Sequence, residues 1–214
     1  MNETALITGA SSGIGLRYAE QLAAKGYDLV IVSNEDDKNR ALADFLSARY
    51  SVTIYPVFKD LCSDSAAREL YEFCREKGLQ IEILINNAGM LVFDTLSRTP
   101  IEKIDRIISL HVKTATILCK LFSEQMKQRG SGRILIMSSA TAHMPYPTIS
   151  VYAATKSAAL QSFRRHPLDT PPARYNDVAG KNSKGSSQGY VQRQKELYPG
   201  IFHPLRIGCR SSGA

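Results

Sequence analysis

The chain alternates short β-branched runs with longer helical stretches, and this alternation limits its possible folds more than any other feature. It is typical of a parallel sheet that helices cover on both faces. The runs predict strands at Thr4–Thr8, Asp28–Val32, Val52–Val57, Ile81–Ile85 and Arg133–Met137. The stretches between them predict helices near Ile14–Lys25, Asp37–Arg49, Ser63–Lys77 and Pro100–Arg129, and a last helix that starts near Ser150. The predicted fold class is α/β, a doubly wound parallel sheet in three layers.

Charge and composition change near residue 163. Residues 1–163 hold 18 Lys and Arg against 17 Asp and Glu, whereas residues 164–214 hold 9 against 3. The second segment also contains five of the nine prolines and shows no hydrophobic periodicity. We therefore expect one folded domain over residues 1–163 and an atypical basic tail over residues 164–214 that is irregular or disordered.

Several classes of protein are disfavoured by simple sequence features. The four cysteines form no C-x-x-C pair, so we expect no metal site and no disulfide framework. No apolar run is long enough to span a bilayer, and no leader precedes the first strand, which predicts a cytoplasmic protein without a membrane partner. Because the basic residues of the tail are dispersed, we also expect no nucleic-acid partner.

A glycine-rich turn follows the first strand directly and opens a helix. It carries Gly9, Gly13 and Gly15. Glycines let the backbone approach a pyrophosphate, and the free N–H groups of a helix N-terminus bind its negative charge. The turn therefore predicts a dinucleotide site, although an ordinary strand-to-helix turn can also carry glycines.

Tyr152 and Lys156 are four residues apart, so they share one face of the last predicted helix. A neighbouring ammonium favours the phenolate form of a tyrosine, which makes Tyr152 the predicted acid and base. The simpler interpretation of such a pair, taken by itself, is a solvated helix face.

Four ordered motifs carry a resemblance to a known family. They are Thr8–Gly15 (TGASSGIG), Asn86–Gly89 (NNAG), the pair Ser138 and Ser139, and Tyr152–Lys156 (YAATK). With Ser139 placed 13 residues before Tyr152, residues 1–163 resemble the short-chain dehydrogenase/reductase family. The resemblance implies a Rossmann-type sheet and a reaction that interconverts an alcohol and a carbonyl with NAD or NADP.

The resemblance also implies roles for individual residues. Ser139 would hold the substrate oxygen, Tyr152 would move the proton, and Lys156 would tune the phenol and bind the nicotinamide ribose. The partners implied are a small alcohol or carbonyl substrate and a second copy of the chain, if the C-terminus permits a homo-oligomer. The implied cofactor-binding residues are Gly9, Ser11, Ser12, Gly13, Ile14, Gly15, Asn34, Asp60, Leu61, Asn87, Ala88, Gly89, Tyr152 and Lys156.

The chain departs from the family pattern at His111, where the family normally has the asparagine that organises a water relay to the lysine. An imidazole can donate and accept hydrogen bonds, so His111 could replace the asparagine, although its size and its titration near pH 6.5 could alter the relay. His111 could equally pack and bond locally. His111 is therefore a predicted catalytic residue with two open interpretations.

The choice between the two cofactors rests on the end of the second strand. Asn34 and Ser12 stand where NADP-using members often carry basic residues. Glu35 and Asp36 favour NAD slightly, although both are also placed to cap the next helix.

The family's later strands, its nicotinamide-contacting loop and its lid are not recognisable after residue 163. The fifth strand should therefore lie at an edge of the sheet. One hypothesis is a changed reading frame near residue 163, and the alternative is a genuine C-terminus that binds a partner. If the missing elements prevent turnover, the alternative function is a non-catalytic dinucleotide-binding or partner-binding protein.

Overall fold

The computed structural model describes residues 2–143 and 147–164. Nearly all of the predicted basic tail lies outside these residues. No helix in the described part of the chain is both long and apolar enough to cross a membrane.

In the described residues five parallel strands form one sheet, which confirms the predicted fold class. They are β1 (Thr4–Thr8), β2 (Asp28–Ser33), β3 (Ile54–Phe58), β4 (Ile81–Asn86) and β5 (Arg133–Ile136). The strand order is β3-β2-β1-β4-β5, so the order reverses between β1 and β4. In a doubly wound sheet, ligands bind outside the carboxyl ends of the strands at such a point.

In the part of the chain that the structure describes, six α-helices lie between or after the strands. They are α1 (Gly13–Ala24), α2 (Asp36–Tyr50), α3 (Ala66–Glu76), α4 (Ile101–Ile108), α5 (Ala115–Arg129) and α6 (Ser150–Arg164). Short 3₁₀ turns at Ala140–Ala142 and Pro147–Ile149 precede α6.

Both faces of the sheet are buried, because apolar side chains of the inner strands point alternately to one face and to the other. One face carries Leu6 and Val30, which join Leu70 of α3 and Phe122 of α5 in a hydrophobic cluster. Because successive side chains of a strand point to opposite faces, the neighbouring buried residues of β1 and β2 face the other way. There α1 packs against β1 and β2, and α2 packs against β2 and β3. The result is three layers with the sheet in the middle.

The prediction of one continuous helix over Pro100–Arg129 was wrong in one respect. A π-helical segment, Ser109–Thr114, separates α4 from α5. A π turn holds more than the usual number of residues, and such turns occur frequently at functional sites. Here the segment contains His111, which is turned inward, is only 4% exposed and is hydrogen-bonded through both ring nitrogens.

Among the described strands, β5 lies at an edge of the sheet. Its backbone pairs with β4 on one side from Arg133 to Ile136. The loop that follows β5 therefore starts beside the carboxyl end of β4, where the site is built.

Candidate active site

Hydrogen bonds to the end of β2 and to the segment that follows β4 hold the glycine-rich turn between β1 and α1 in place. The N–H of Gly9 donates to the carbonyl of Val32 at 2.8 Å, and the side-chain amide of Asn87 donates to the carbonyls of Thr8 and Gly9, each at 3.0 Å. A Cβ atom on Gly15 would lie 2.0 Å from the carbonyl oxygen of Gly9. Position 15 therefore requires glycine in this turn.

The turn is open on the side that faces solvent. Gly13 has a φ angle of 57°, and a Cβ atom built there would meet no atom within 4 Å. Ser12, the N-cap residue of α1, makes no side-chain capping bond. The first N–H groups of α1 can therefore serve an anionic ligand.

Asn87 and Ala88, which follow β4, are tied to the same turn. Their backbone N–H groups both donate to the Thr8 hydroxyl at 3.0 Å. This fixes the NNAG segment against the end of β1. The two motifs are 78 to 80 residues apart in sequence but form one wall.

A cleft of about 470 Å³ opens above this wall, a volume typical of ligand sites. The structure brings most of the predicted cofactor-binding residues together in it. The predicted residues that line the cleft are Gly9, Ser11, Ser12, Ile14, Asn34, Asp60, Leu61, Asn87, Ala88 and Gly89. The open turn, the free helix terminus and this volume fit a dinucleotide.

Glu35 places a carboxylate beside the glycine-rich turn. The Ser11 hydroxyl donates to it at 2.9 Å, and the Lys38 ammonium pairs with its other oxygen. These hydrogen bonds, that from Lys38 first, hold the pKa of Glu35 below its usual value. Glu35 therefore places a negative charge at this side of the cleft at neutral pH, partly balanced by Lys38.

Sequence reasoning missed Arg106, which also lines the cleft. Its guanidinium donates to the Asp60 carboxylate at 3.2 Å and so links α4 to the loop after β3. The Cys62 N–H donates to the same carboxylate at 3.0 Å, and this bond is the main reason why the pKa of Asp60 is lowered. No local pattern marks Arg106, because its partner is 46 residues away.

Tyr152 and Lys156 lie on α6, as predicted from their spacing. The Lys156 ammonium is 5.7 Å from the centre of the Tyr152 ring. It is buried and donates to the carbonyl of Met137 at 2.8 Å. Burial lowers the pKa of Lys156 to about 8, so most of the ammonium remains charged at neutral pH.

Ser139 lies in the loop that joins β5 to α6 and caps the 3₁₀ turn Ala140–Ala142. Its Oγ accepts hydrogen bonds from the N–H of Thr141 at 3.2 Å and from the Thr141 hydroxyl at 2.9 Å. The preceding Ser138 donates to the carbonyl of Lys156 at 3.2 Å. These bonds place the loop against the helix that carries Tyr152.

His111 connects the loop after β4 to α6. Its Nε2 accepts from the N–H of Met90 at 3.0 Å, and its Nδ1 lies 2.9 Å from the Thr155 hydroxyl. That hydroxyl itself donates to the carbonyl of Tyr152. The contacts therefore require the neutral tautomer with the proton on Nδ1.

The expected titration of His111 near pH 6.5 was wrong. Burial, and secondly the charge of Lys156, lower the pKa of His111 to about 3. The Tyr152 ring stands edge-on at 5.6 Å between ring centres. The imidazole is therefore neutral over the pH range in which most enzymes work.

Two of the predicted catalytic residues, His111 and Lys156, lie next to the cleft. A second cavity, of about 10 Å³, is lined by His111 and Lys156 and shares Leu61, Ala88 and Leu110 with the cleft. A Cβ atom on Gly89 would lie 3.0 Å from Nε2 of His111 and 3.5 Å from Nζ of Lys156. Gly89 thus lies between the cleft and the pair His111 and Lys156.

The neutral state of His111 predicts how stability changes with pH. Below pH 6.5 the unfolded chain binds a proton at this residue that the folded chain does not bind until about pH 3. Between these limits the free energy of unfolding should fall with decreasing pH, by up to about 1.4 kcal/mol per pH unit. Urea unfolding of the wild type and of His111→Asn at pH 7.5, 6 and 5 measures the contribution of His111 to the pH dependence of stability, because the two proteins have all other titratable groups in common.

The loss below pH 6.5 should be larger in the wild type than in His111→Asn. Parallel curves for the two proteins would contradict a buried, neutral His111.

Comparison with known proteins places the chain in a family. The family model described as short chain dehydrogenase matches residues 3–173, and the chain therefore belongs to the short-chain dehydrogenase family. Members of this family are oxidoreductases. The match extends past the predicted domain boundary at residue 163.

Individual relatives and a solved structure are similar over about three quarters of the chain. The chain is 30% identical over 167 residues to a very-long-chain 3-oxoacyl-CoA reductase from Rattus norvegicus, covering 73% of this chain and 51% of the relative. It is 31% identical over 165 residues to the inactive hydroxysteroid dehydrogenase-like protein 1 of the same organism, covering 75% and 49%. A short-chain dehydrogenase from Sphingobium yanoikuyae in complex with NADPH is 36% identical, with a TM-score of 0.71 and coverage of 75% and 62%.

These comparisons support a nicotinamide dinucleotide as the cofactor class. The slight lean to NAD finds no support in them, because the similar structure from Sphingobium yanoikuyae holds NADPH. The chain spans about half the length of the curated relatives it matches.

Proposed function

We propose that the chain is an NAD(P)-dependent oxidoreductase that interconverts an alcohol and a carbonyl, with Tyr152 as the acid and base. The observation that carries this proposal is that a cleft suited to a dinucleotide lies beside a Tyr–Lys pair at the carboxyl ends of the strands. A cleft built on a glycine-rich turn meets a buried Lys156 that lies beside Tyr152, and Gly89 contacts both sides. Such an arrangement serves both cofactor binding and proton transfer.

The cleft residues and the N-terminus of α1 would hold the cofactor, which supplies or accepts the hydride when bound. In carbonyl reduction the Tyr152 hydroxyl gives its proton to the substrate oxygen, and in alcohol oxidation the phenolate takes that proton back. The Lys156 ammonium stabilises the phenolate by its charge. Ser139 holds the substrate oxygen by a hydrogen bond.

His111 acts in this proposal by holding its neighbours in place. Its two ring nitrogens connect Met90 of the cleft loop to Thr155, which lies one turn from Tyr152 on α6. A role in a proton relay also remains a proposal. An unchanged rate and pH profile in His111→Ala would overturn it.

A second function is favoured by one specific observation, the similarity to a relative named as inactive. In this alternative the chain binds the dinucleotide, or a partner, without turnover. Oxidation of NADH and NADPH with a panel of aldehydes and ketones distinguishes the two, with cofactor binding measured by fluorescence. Turnover supports the oxidoreductase, whereas binding without turnover on any panel member supports the alternative.

The division of the chain at residue 163 and the changed reading frame also remain proposals. Resequencing the DNA around this residue tests them. A second frame that encodes a continued helix and a further apolar strand would support the changed frame, and meaningless alternative frames would support a genuine C-terminus.

The Glu35 carboxylate predicts a shift of cofactor preference on substitution. Glu35→Gln removes a negative charge from the cleft beside Ser11, where it opposes a 2′-phosphate. Whichever cofactor the wild type prefers, the ratio of the Kd of NADPH to that of NADH should fall by about 3- to 10-fold, as for one moderate charge interaction. Fluorescence titration with both cofactors measures this ratio.

The matched control is Glu72→Gln, which removes an equal charge from an exposed pair with Arg75 on α3. It should leave the ratio unchanged. Equal ratios for the wild type and Glu35→Gln would show that the carboxylate does not act on the 2′-phosphate.

A further inference from the structure

The hydroxyl of Ser139 has both of its acceptor positions occupied by one neighbouring residue. Thr141 donates to Ser139 Oγ twice, from its backbone N–H at 3.2 Å and from its side-chain hydroxyl at 2.9 Å. A serine hydroxyl offers two lone pairs and one hydrogen. With both lone pairs engaged, the hydrogen is the group that Ser139 has left to offer.

From this geometry we propose that Thr141 is a positioning residue that makes Ser139 a donor only. Ser139 then donates its hydrogen to the oxygen of a carbonyl or an alkoxide, and it cannot accept the hydrogen of an alcohol. The inference rests on the proposed function, in which Ser139 holds the substrate oxygen. It goes beyond that function by naming the residue that fixes the orientation of the Ser139 hydroxyl.

The arrangement favours the species that carry the most negative oxygen. Oxygen gains negative charge as hydride reaches the carbonyl carbon, and a donor that is already oriented stabilises this charge without reorganising. A neutral alcohol gains less, because its oxygen carries less negative charge, and in the proposed mechanism its own hydrogen is taken by Tyr152. The site should therefore stabilise the transition state of hydride transfer more than it stabilises either the ketone or the alcohol.

The surrounding structure supports a fixed orientation. Ser139 begins the 3₁₀ turn Ala140–Ala142, so Thr141 is held on the first turn with its N–H aimed at Oγ. The adjacent Ser138 bonds to the carbonyl of Lys156. The loop thus offers the Ser139 hydroxyl beside the helix that carries Tyr152.

Two substitutions of Thr141 test the proposal. Thr141→Val has nearly the same shape and keeps the backbone N–H, but it removes the hydroxyl that donates to Ser139. Thr141→Ser keeps that hydroxyl and is the rescue control. The probes are acetophenone and 1-phenylethanol, a ketone and an alcohol with the same carbon skeleton. The assay follows the oxidation of NADPH or NADH. Other aldehydes and ketones, each with the alcohol formed from it, extend the set of probes.

In Thr141→Val, kcat for ketone reduction should fall by about 3- to 10-fold, the effect of one hydrogen bond. The inhibition constant of the alcohol should stay near the wild-type value, because its hydrogen is taken by Tyr152 and not by Ser139. The Kd of the cofactor should also stay at the wild-type value, and Thr141→Ser should restore kcat. A purely structural role of Thr141 would change these binding constants together with kcat.

Two results would overturn the inference while leaving the proposed function standing. One is an active wild type together with an unchanged kcat for ketone reduction in Thr141→Val. The other is faster ketone reduction in Thr141→Val, which would mean that Ser139 donates to Thr141 and is released by the substitution. A wild type that turns over no aldehyde or ketone would instead overturn the proposed function, and this inference with it.

Discussion

Replacing Tyr152 by phenylalanine is expected to lower kcat for carbonyl reduction by about 10²- to 10⁴-fold, the usual contribution of a general acid. The substitution removes the hydroxyl that gives its proton to the substrate oxygen and keeps the ring that packs edge-on against His111. The Kd of NADH and NADPH should change little, because Tyr152 is not among the residues that line the cleft. Steady-state kinetics and fluorescence titration measure the two quantities.

Tyr50→Phe is the matched control, since it makes the same chemical change at the end of α2. It should leave both kcat and the cofactor Kd at their wild-type values. A Tyr152→Phe protein that retained the wild-type rate would show that another group moves the proton, and the assignment of Tyr152 would be wrong.

Replacing Gly15 by alanine is expected to abolish cofactor binding and to destabilise the fold. The added methyl group would lie 2.0 Å from the Gly9 carbonyl oxygen and 2.5 Å from the side-chain nitrogen of Asn87. Neither group can withdraw easily, because the same amide nitrogen bonds the carbonyls of Thr8 and Gly9. The turn must therefore open, at a cost of about 3 kcal/mol or more in the free energy of unfolding.

The effect on binding follows from the same displacement. The turn carries the first N–H groups of α1, and an anion binds them only if they converge. Urea unfolding and cofactor titration of Gly15→Ala measure the two losses.

Gly26→Ala is the control for general destabilisation. Gly26 has a φ of 83° and no atom within 4 Å of a built Cβ, so alanine there strains the backbone without touching the cleft. It should lower stability by about 1–2 kcal/mol and leave the Kd of the cofactor unchanged. Wild-type cofactor affinity in Gly15→Ala would contradict the role given to the turn.

The sequence predicted the sheet well because each strand is a local pattern. All five strands appear within two residues of their predicted bounds. β-branched residues in short runs fit a buried parallel strand, and this preference acts over a few neighbours. The parallel arrangement follows equally, since each pair of strands is joined by a helical crossover.

The interruption between α4 and α5 shows where local patterns fail. The apolar periodicity runs through the π-helical segment Ser109–Thr114, so the sequence predicted one helix there. The segment is stabilised by contacts of His111 with Met90, 21 residues earlier, and with Thr155, 44 residues later. Because Met90 and Thr155 lie outside this helix, the spacing of apolar residues within the helix could not predict these contacts.

By itself, the sequence determined the α/β class, the glycine-rich turn and the pairing of Tyr152 with Lys156, because these depend on spacing within one element or on a turn of few residues. The tertiary structure alone decided the charge state of the site. Burial keeps His111 neutral and lowers the pKa of Lys156 to about 8, and the link between Arg106 and Asp60 closes only after folding. The physical reason is that desolvation and Coulomb interactions depend on distance in space, which separate segments of the chain acquire only when they pack together.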